Sequence, residues 1–171
     1  MDLASTIRDV PDFPQKGILF KDITTLLKDP AALKEMIDRM LDYTRSKEVD
    51  LIVGIESRGF IFGMPLAYEL GLGFAPVRKP GKLPSETINR SYALEYGSNT
   101  LEIHVDAVEP GQKVLIVDDL LATGGTVEAT CGLVEELGGE VAGLLFAVEL
   151  KFLNARERLT DRDIYSVVSF D

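Results

Sequence analysis

The sequence predicts an α/β fold with a mainly parallel central sheet and helices on both of its faces. Two observations support this fold class. Apolar runs of strand length alternate along the chain with segments whose apolar residues recur at helical spacing, a pattern typical of βαβ units. The run at 114–117 is apolar without interruption, which indicates a strand buried on both faces, as in a parallel sheet.

The first elements follow from local signals. Asp29 is a favourable cap for a helix that begins at Pro30. Apolar side chains at helical spacing extend this helix to about Ser46. Residues 51–55 form a short buried strand, and the helix that follows is expected to end near Leu70.

The later elements alternate in the same way. Residues 72–78 predict a strand, and the segment 79–90, which has little periodicity and is rich in proline and glycine, predicts a mobile loop. Alternating side chains on either side of Gly97 predict a hairpin. The remaining elements are a strand that ends at Asp118 and Asp119, a helix closed by Gly138 and Gly139, and strands over 141–148 and 164–170.

Composition limits the classes of protein to consider. The chain has 171 residues, for which we expect a single domain over 1–171. Its net charge of −10 argues against a nucleic-acid partner, since phosphate backbones attract basic surfaces. No apolar run approaches a membrane span, and the N-terminus lacks a signal-peptide pattern. One cysteine fits a reducing compartment, so we expect a cytoplasmic protein with no membrane partner.

The segment 113–126, KVLIVDDLLATGGT, is the most informative part of the chain. Its apolar strand is expected to end at Asp118 and Asp119, and the small residues of 123–126 precede a helical pattern. Ligands of open α/β sheets bind beyond the carboxyl ends of the strands. Backbone N–H groups at a helix start attract an anion, whereas carboxylates accept hydrogen bonds from hydroxyl groups. A sugar phosphate requires both kinds of group.

This segment differs from the common nucleotide-binding motifs. A Walker loop is excluded because no Gly-Lys-Ser/Thr follows the glycines, and a dinucleotide fingerprint because G-x-G-x-x-G is missing. In a purely structural interpretation the aspartates form a turn, and Gly124 and Gly125 form a tight helix start. That interpretation explains either pair alone. The combination of a buried strand, an acidic pair and a Thr-Gly-Gly-Thr loop favours a ligand site.

The same segment resembles the phosphoribosyl-pyrophosphate (PRPP) binding motif of the type I phosphoribosyltransferases, in the form typical of the adenine phosphoribosyltransferases. Further segments resemble that family in the same order along the chain. They are a base-covering segment at 13–24, pyrophosphate-binding turns at 56–60 and 78–84, and the end of a flexible catalytic loop at 91–97. The resemblance implies a hood over 1–28 and a flexible loop with its hairpin over 79–100.

The resemblance also implies a role for each residue that would bind PRPP. Asp118 and Asp119 would accept hydrogen bonds from the ribose hydroxyls. The 5-phosphate would be bound by Ala122, Thr123, Gly124, Gly125 and Thr126. The leaving pyrophosphate would be bound by Ser57, Arg58, Arg78, Lys79 and Lys82. Arg90 adds a further cation to this region of an acidic chain, although solvated loop charges are the alternative explanation for the cations taken alone.

For the purine base, the resemblance implies that Phe20 stacks on the ring and that the backbone of Leu19 and Arg58 reads its edge. Glu95 and Arg58 are the implied catalytic residues, with Glu95 as the acid or base that manages a ring proton. A cis peptide bond is expected between Glu56 and Ser57. Without the resemblance, Phe20 would be interpreted as a core residue and Glu95 as a solvent-facing one.

The reaction implied by the resemblance is transfer of the 5-phosphoribosyl group from PRPP to adenine, which gives AMP and pyrophosphate. Mg²⁺ would be bound through PRPP and not directly by the protein. Two alternatives stay open: a 6-oxopurine such as xanthine as the base, and a non-catalytic, PRPP-sensing regulator of the same fold. The family also implies a homodimer.

Three further residues receive a structural interpretation. His104 alternates with apolar neighbours and is expected on the polar face of a strand. Cys131 lies on the apolar face of the helix after the phosphate loop and is expected to be a buried, inert thiol. Ala155 stands where the family commonly has glycine, which leaves the local turn open.

Overall fold

The structure, a computed structural model, describes residues 1–94 and 96–171. Over these residues the chain divides into two compact units, Met1–Arg39 and Met40–Asp171. The expected single domain over 1–171, with its hood over 1–28 and its flexible loop over 79–100, stays a prediction. No helix among the described residues is both long enough and apolar enough to cross a membrane.

The first unit combines an antiparallel strand pair with helices. Its elements are β1 (Arg8–Pro11), β2 (Leu19–Asp22), α1 (Thr24–Lys28) and the start of α2 (Pro30–Arg45). In the pair of β1 with β2, Val10 lies opposite Phe20. Asp29 caps α2, because its Oδ1 accepts the Ala31 N–H at 2.9 Å. The predicted start of this helix is therefore confirmed.

The second unit alternates strands with helices. Its elements are β3 (Leu51–Ile55), α3 (Gly59–Leu70), β4 (Gly73–Val77), β5 (Thr87–Ala93), β6 (Ser98–His104), β7 (Lys113–Leu121), α4 (Gly125–Glu136), β8 (Glu140–Leu150), α5 (Ala155–Arg158) and β9 (Ile164–Phe170). Within the described part of the chain, five of these strands form an all-parallel sheet in the order β4-β3-β7-β8-β9. The predicted α/β class with a central parallel sheet is confirmed.

Side chains along each strand point alternately to the two faces of this sheet. Helices pack against the side chains of both faces. On one face, Val53 of β3 belongs to the same core cluster as Val127 of α4. On the opposite face, Ile52 lies beneath α3: its Cγ2 is 3.5 Å from the point where a side chain at Gly63 would begin. The predicted two-sided covering of the sheet is therefore confirmed.

β5 and β6 form an antiparallel hairpin. The prediction of a mobile loop over 79–90 is wrong for its last residues, because β5 begins at Thr87, which lies opposite His104. The cause lies in the partner strand. Leu101 and Ile103 of β6 are buried in the core cluster, and their packing fixes the part of β6 that pairs with residues 87–90.

Candidate active site

β7 extends further than the sequence indicates. The expectation that the strand ends at Asp118 and Asp119 is wrong, because the long strand β8 pairs with β7 as far as Leu121. On its other side, β7 pairs with β3 only as far as Val117, which lies opposite Gly54. The aspartates therefore lie inside a strand, at the point where its neighbour β3 has ended.

Asp118 and Asp119 form a close acidic pair. The Asp119 N–H donates to Oδ1 of Asp118 at 2.8 Å. Arg58 Nε donates to Oδ2 of Asp119 at 2.5 Å, and the Asp119 side chain is almost fully buried. This hydrogen bond raises the pKa of Arg58, whereas burial and the charge of Asp119 raise the pKa of Asp118 well above its usual value. Arg58 thus compensates Asp119 directly, whereas Asp118 is the carboxyl group whose charged form the site disfavours.

Gly59 allows the turn after β3 to approach this pair closely. A side chain at Gly59 would begin 2.7 Å from the carbonyl oxygen of Val117 and 3.1 Å from Oδ1 of Asp118. The first distance is too short for a real Cβ atom, so glycine is required at the start of α3. The close approach brings Arg58, the preceding residue, within reach of Asp119.

The segment 122–126 forms a tight loop before and into the first turn of α4. Gly124 has a left-handed backbone (φ +88°), and a side chain there would begin 3.3 Å from Cβ of Ala155. The first N–H groups of α4 have no acceptor within the helix, so they are available to an anion at the loop. Ala155 is well accommodated, since it is buried at the start of α5 after the left-handed Asn154. The backbone conformation of this loop and its free N–H groups are therefore suited to binding an anion.

Two residues that sequence reasoning did not select also reach this loop. Tyr92 Oη lies 2.9 Å from Oγ1 of Thr126, and the Tyr92 ring lies 3.0 Å from the point where a side chain at Gly125 would begin. A guanidinium nitrogen of Arg158 lies 3.0 Å from the same point, and Arg158 pairs with Glu128. In the sequence, Tyr92 belongs to the alternating hairpin pattern and to the segment 91–97 that resembles the family's catalytic loop, but neither signal gives it a binding role, and Arg158 lies outside every motif.

The turn after β3 joins several of the residues expected to bind pyrophosphate. The peptide bond between Glu56 and Ser57 is cis, as expected. Glu56 accepts hydrogen bonds from Arg78 Nη2 and from the Lys79 N–H, each at 2.8 Å. The bond from Arg78 lowers the pKa of Glu56. Arg78 also reaches towards the carbonyl oxygen of Lys82 at 3.5 Å, so these cations share one corner of the unit.

Arg90 is directed towards α4. Its guanidinium packs over Gly132, and its Nη2 lies 3.4 Å from Oε2 of Glu136. The cause is its place on β5, because this strand packs against α4 through the hairpin. Arg90 thus contributes to packing on the helix, and the expected cationic set is reduced to Arg78, Lys79 and Lys82.

The residues expected to bind the base lie in the first unit. Phe20 lines an apolar cavity of about 300 Å³ together with Val10, Phe13 and Asp22. The rings of Phe13 and Phe20 meet edge to face, with 5.1 Å between their centres. Leu19, on the same strand as Phe20, is half exposed. This unit therefore offers an open aromatic surface next to the backbone of Leu19 and Phe20.

Comparison with known proteins identifies a family for this chain. A model of the family described as phosphoribosyl transferase domain matches residues 22–171. The chain belongs to the phosphoribosyltransferase family. The resemblance inferred from the motifs is thereby confirmed, and the chain is an enzyme of this class.

Individual phosphoribosyltransferases are similar to this chain over almost its whole length. The adenine phosphoribosyltransferase of Acidobacterium capsulatum is 60% identical over 168 residues, which cover 98% of this chain and 93% of that protein. The crystal structure of adenine phosphoribosyltransferase from Thermoanaerobacter pseudethanolicus has a TM-score of 0.96 at 54% identity, and covers 99% of this chain and 98% of that one. The enzyme from Saccharomyces cerevisiae, solved with D-2,5-dideoxy-2,5-imino-altritol 1,6-bisphosphate and adenine, has a TM-score of 0.90 at 40% identity over 96% of both chains.

Three other predictions for this phosphoribosyltransferase have different outcomes. Glu95 lies outside the described residues, so its catalytic role stays a prediction. Cys131 is buried as expected, and burial raises the pKa of its thiol to about 11, which keeps it protonated and inert. His104 is partly buried, and its Nε2 accepts the Ser85 N–H at 3.2 Å. The histidine therefore holds the loop before β5.

Proposed function

We propose that this phosphoribosyltransferase transfers the 5-phosphoribosyl group from PRPP to adenine and releases AMP and pyrophosphate, a reaction of purine salvage. One observation carries the proposal: Asp118, whose charge is only partly compensated, lies in β7 shortly before a tight anion loop. Carboxylates that accept hydrogen bonds from hydroxyl groups, next to backbone N–H groups that donate to a phosphate, fit a ribose 5-phosphate group. The adenine phosphoribosyltransferases that are 60% and 54% identical to this chain support adenine as the base.

In this proposal, Asp118 and Asp119 bind the ribose hydroxyls. The raised pKa of Asp118 reflects a carboxylate that is poorly solvated in the free chain. Hydroxyl groups that donate to it relieve part of that desolvation, so the bound sugar favours the ionised form. The same negative charges stabilise the positive charge that develops on the ribosyl ring as pyrophosphate leaves.

The 5-phosphate binds to the loop formed by Ala122, Thr123, Gly124, Gly125 and Thr126. Backbone N–H groups at the start of α4 donate to it, and the two threonine hydroxyls add further donors. The left-handed backbone of Gly124 shapes the loop before the ligand arrives, and Ala155 lies close enough to leave little room for a side chain there. Little ordering is then needed on binding, which favours affinity.

The pyrophosphate binds to a set of cations and exposed backbone around the turn after β3. This set is Ser57, Arg58, Arg78, Lys79 and Lys82. Glu56 holds Arg78 and the backbone of Lys79 in place. Guanidinium and ammonium groups stabilise the negative charge that accumulates on the leaving group. Arg58 is the second catalytic candidate, because it belongs to this set and also donates a hydrogen bond to Asp119.

Magnesium belongs to the proposal as an ion that arrives with PRPP. The ligand groups at the acidic pair are carboxylate oxygens, and burial together with the charge of Asp119 raises the pKa of Asp118, so a cation nearby would favour its ionised form. Hard oxygen ligands suit Mg²⁺, which keeps several waters and binds largely through substrate phosphates. The residues therefore fit the ion, and Asp118 and Asp119 would hold it through water and sugar oxygens. When bound, Mg²⁺ neutralises part of the charge on pyrophosphate.

Phe20 supplies the stacking surface for the purine, and the backbone of Leu19 reads its edge. The cavity beside Phe20, of about 300 Å³, is apolar and has the size of a small ligand site. The Saccharomyces cerevisiae relative was solved with adenine, which supports a purine as the occupant. Glu95 takes or holds a ring proton as N9 attacks C1 of the sugar.

We also propose a homodimer in the cytoplasm. Ile61, Met64 and Tyr68 lie on one face of α3 and are 41%, 50% and 82% exposed, which is typical of an interaction surface. Because α3 begins directly after Arg58, a partner on this face would lie beside the site. A single, free Cys131 suits a reducing compartment. Light scattering tests the dimer, and a fully active monomer would contradict it.

A coupled assay with PRPP, Mg²⁺ and each of adenine, hypoxanthine, guanine and xanthine tests the proposed reaction. We expect rapid release of pyrophosphate and formation of AMP with adenine, and far slower turnover with the oxopurines. Faster turnover with an oxopurine would transfer the assignment to that base. Binding of PRPP without nucleotide formation from any base would identify a regulator and overturn the enzymatic proposal.

A further inference from the structure

Arg158 brings a positive charge to the phosphate loop from a distant part of the chain. Its Nη1 lies 3.0 Å from the point where a side chain at Gly125, the first residue of α4, would begin. The Glu128 N–H donates to the carbonyl oxygen of Gly124 at 3.0 Å. Amides earlier in this turn have no such acceptor within the helix and are available to an anion. The guanidinium therefore lies beside the end of α4 that would bind the phosphate.

Packing of the chain around α5 holds Arg158 at this place. Ala155 Cβ and Leu159 Cδ1 lie 3.3 Å and 3.5 Å from the point where a side chain at Gly124 would begin. Both residues are buried. Because they lie on either side of Arg158 in the chain, the backbone that carries the guanidinium is fixed against the loop.

A buried ion pair fastens α5 to the sheet. Arg156 donates to the two carboxylate oxygens of Glu149, from Nε at 2.7 Å and from Nη2 at 2.8 Å. Glu149 lies in β8 and is buried. A bidentate pair of this kind is strong and directional. The position of Arg158 thus depends on the fold and requires no ligand.

Glu128 carries the opposite charge at the same loop. It lies in the first turn of α4, where a carboxylate interacts favourably with the helix dipole. A bound phosphate would use the same positive end of the helix, so the two negative groups would repel each other. Oε2 of Glu128 lies 3.5 Å from Nε of Arg158, and the guanidinium offsets part of this repulsion.

We propose that Arg158 and Glu128 form a charge pair that sets the affinity of the loop for a phosphate monoester, with Arg158 strengthening binding and Glu128 weakening it. This inference rests on the proposed function of the loop as the 5-phosphate site. The backbone N–H groups make the hydrogen bonds to the phosphate, and the pair acts on it through space. Ligands that lack a 5-phosphate are not affected.

A purely structural ion pair would behave differently. Removal of either partner would break the same contact, so both changes would weaken ligand binding. In the proposed electrostatic role, the two changes act in opposite directions. The side chains of Arg158 and Glu128 are 44% and 54% exposed, so water screens both charges and the expected effects are moderate.

Titration calorimetry of the full chain with ribose 5-phosphate tests the sign of each charge. Arg158→Gln should weaken binding roughly fivefold, and Glu128→Gln should strengthen it roughly threefold, as expected for partly screened charges. Arg158→Lys retains the charge and should keep most of the affinity. In about 1 M salt, where the Debye length falls to about 3 Å, the differences between the variants should largely disappear.

Arg162→Gln is the matched control for this measurement. Arg162 pairs with Glu135, which lies in the last turn of α4, at the end opposite the loop. This variant removes the same kind of group from the same helix, and we expect the affinity for ribose 5-phosphate to be unchanged. Inorganic pyrophosphate is the control ligand, because it has no group for the loop and should bind equally to the wild type and to Arg158→Gln.

Steady-state kinetics add a second readout. Arg158→Gln should raise KM for PRPP by a factor similar to the loss of ribose 5-phosphate affinity. The value of kcat should stay unchanged, because the charge acts on the bound substrate and on the transition state alike. A fall in kcat with unchanged KM would contradict a role in phosphate binding.

The outcomes separate this inference from the proposed function. Equal affinities for ribose 5-phosphate in the wild type, Arg158→Gln and Glu128→Gln overturn the inference and leave the proposed function intact. Weaker binding in both variants also overturns it and identifies a structural ion pair. If ribose 5-phosphate does not bind to the wild type, the proposed phosphate site is itself wrong, and the inference falls with it.

Discussion

The two ends of the strand pair β3–β7 carry similar ion pairs in different surroundings. At the amino end, Lys113 pairs with Glu48, whose side chain is 84% exposed. At the carboxyl end, Arg58 pairs with Asp119, whose side chain is 8% exposed. Water screens the first pair, so it has little influence on stability. At the second, burial raises the pKa of the neighbouring Asp118.

The amino end borders a cavity of about 310 Å³ lined in part by Lys47, Glu48 and Lys113. Its lysines are paired with exposed carboxylates, and a ligand there would have to displace existing partners. The carboxyl end retains a charge that the fold leaves poorly solvated. The difference indicates that the burial of its charged groups distinguishes the proposed reactive end from the amino end.

The largest expected effect comes from removing both charges at the carboxyl end. Asp118→Asn combined with Asp119→Asn should lower kcat/KM for PRPP roughly a thousandfold, because the ribose loses its acceptors and the ribosyl cation its stabilising charges. Circular dichroism should show an intact fold. Glu48→Gln combined with Asp50→Asn is the matched pair at the amino end and should retain activity. Normal PRPP kinetics in the first variant would refute the ribose assignment.

The next effect concerns Glu95 and tests whether the chemistry extends beyond β7. Glu95→Gln should lower kcat about a hundredfold and change KM much less, if the carboxylate acts on a ring proton in the transition state. Glu109→Gln removes an exposed carboxylate at a turn and serves as the control. An unchanged kcat in Glu95→Gln would return this residue to a solvent-facing role.

A smaller effect of opposite sign is expected for stability. The raised pKa of Asp118 means that the folded chain binds this proton more tightly than the unfolded chain does, so this group destabilises the fold increasingly as pH rises above 3.8. Asp118→Asn should therefore melt a few degrees higher at pH 7, for a gain of about 1 kcal/mol. The gap to wild type should narrow as the pH is lowered towards 4. Equal melting temperatures of the wild type and Asp118→Asn at pH 7 would contradict the destabilising effect assigned to the charge of Asp118.

The smallest effect is expected at the amino end. The hydrogen bond from Lys113 lowers the pKa of Glu48, so the pair adds stability above pH 4.5 that is lost as the pH falls through the lowered pKa. Both groups are exposed, and the contribution is screened. Glu48→Gln should cause no measurable change in melting temperature at physiological salt. A clear decrease in the melting temperature of Glu48→Gln would show that this exposed ion pair contributes to stability despite its exposure.

Features that depend on neighbouring residues could be predicted from the sequence. The apolar run at 114–117, the cap at Asp29 and the glycines after α4 each act over a few residues, and the elements they predict are found. The anion loop belongs to the same class, because its shape follows from adjacent small residues and the helix start. The remaining site segments were identified by their resemblance to family motifs that occur in the same order along the chain.

Contacts between distant residues could not be predicted in this way. Arg58 and Asp119 are 61 positions apart, and Tyr92 and Thr126 are 34 apart, so no local pattern links them. The continuation of β7 past its aspartates depends on the length of β8, which provides backbone partners. A carboxylate in isolation gives no sign that it continues a strand, since aspartate is uncommon in strands.

Beyond Val117, β7 keeps a neighbour on the side of β8, while β3 has ended on the other side. A strand in the middle of the sheet thus becomes an edge strand over 118–121. Backbone groups on such an edge form hydrogen bonds with water or with a ligand. A sugar phosphate that binds there exchanges partners with solvent and breaks none of the ladder that joins β7 to β8. The sheet can therefore have the same hydrogen bonds in the free and the ligand-bound forms, so repeated turnover requires no rearrangement of the strands.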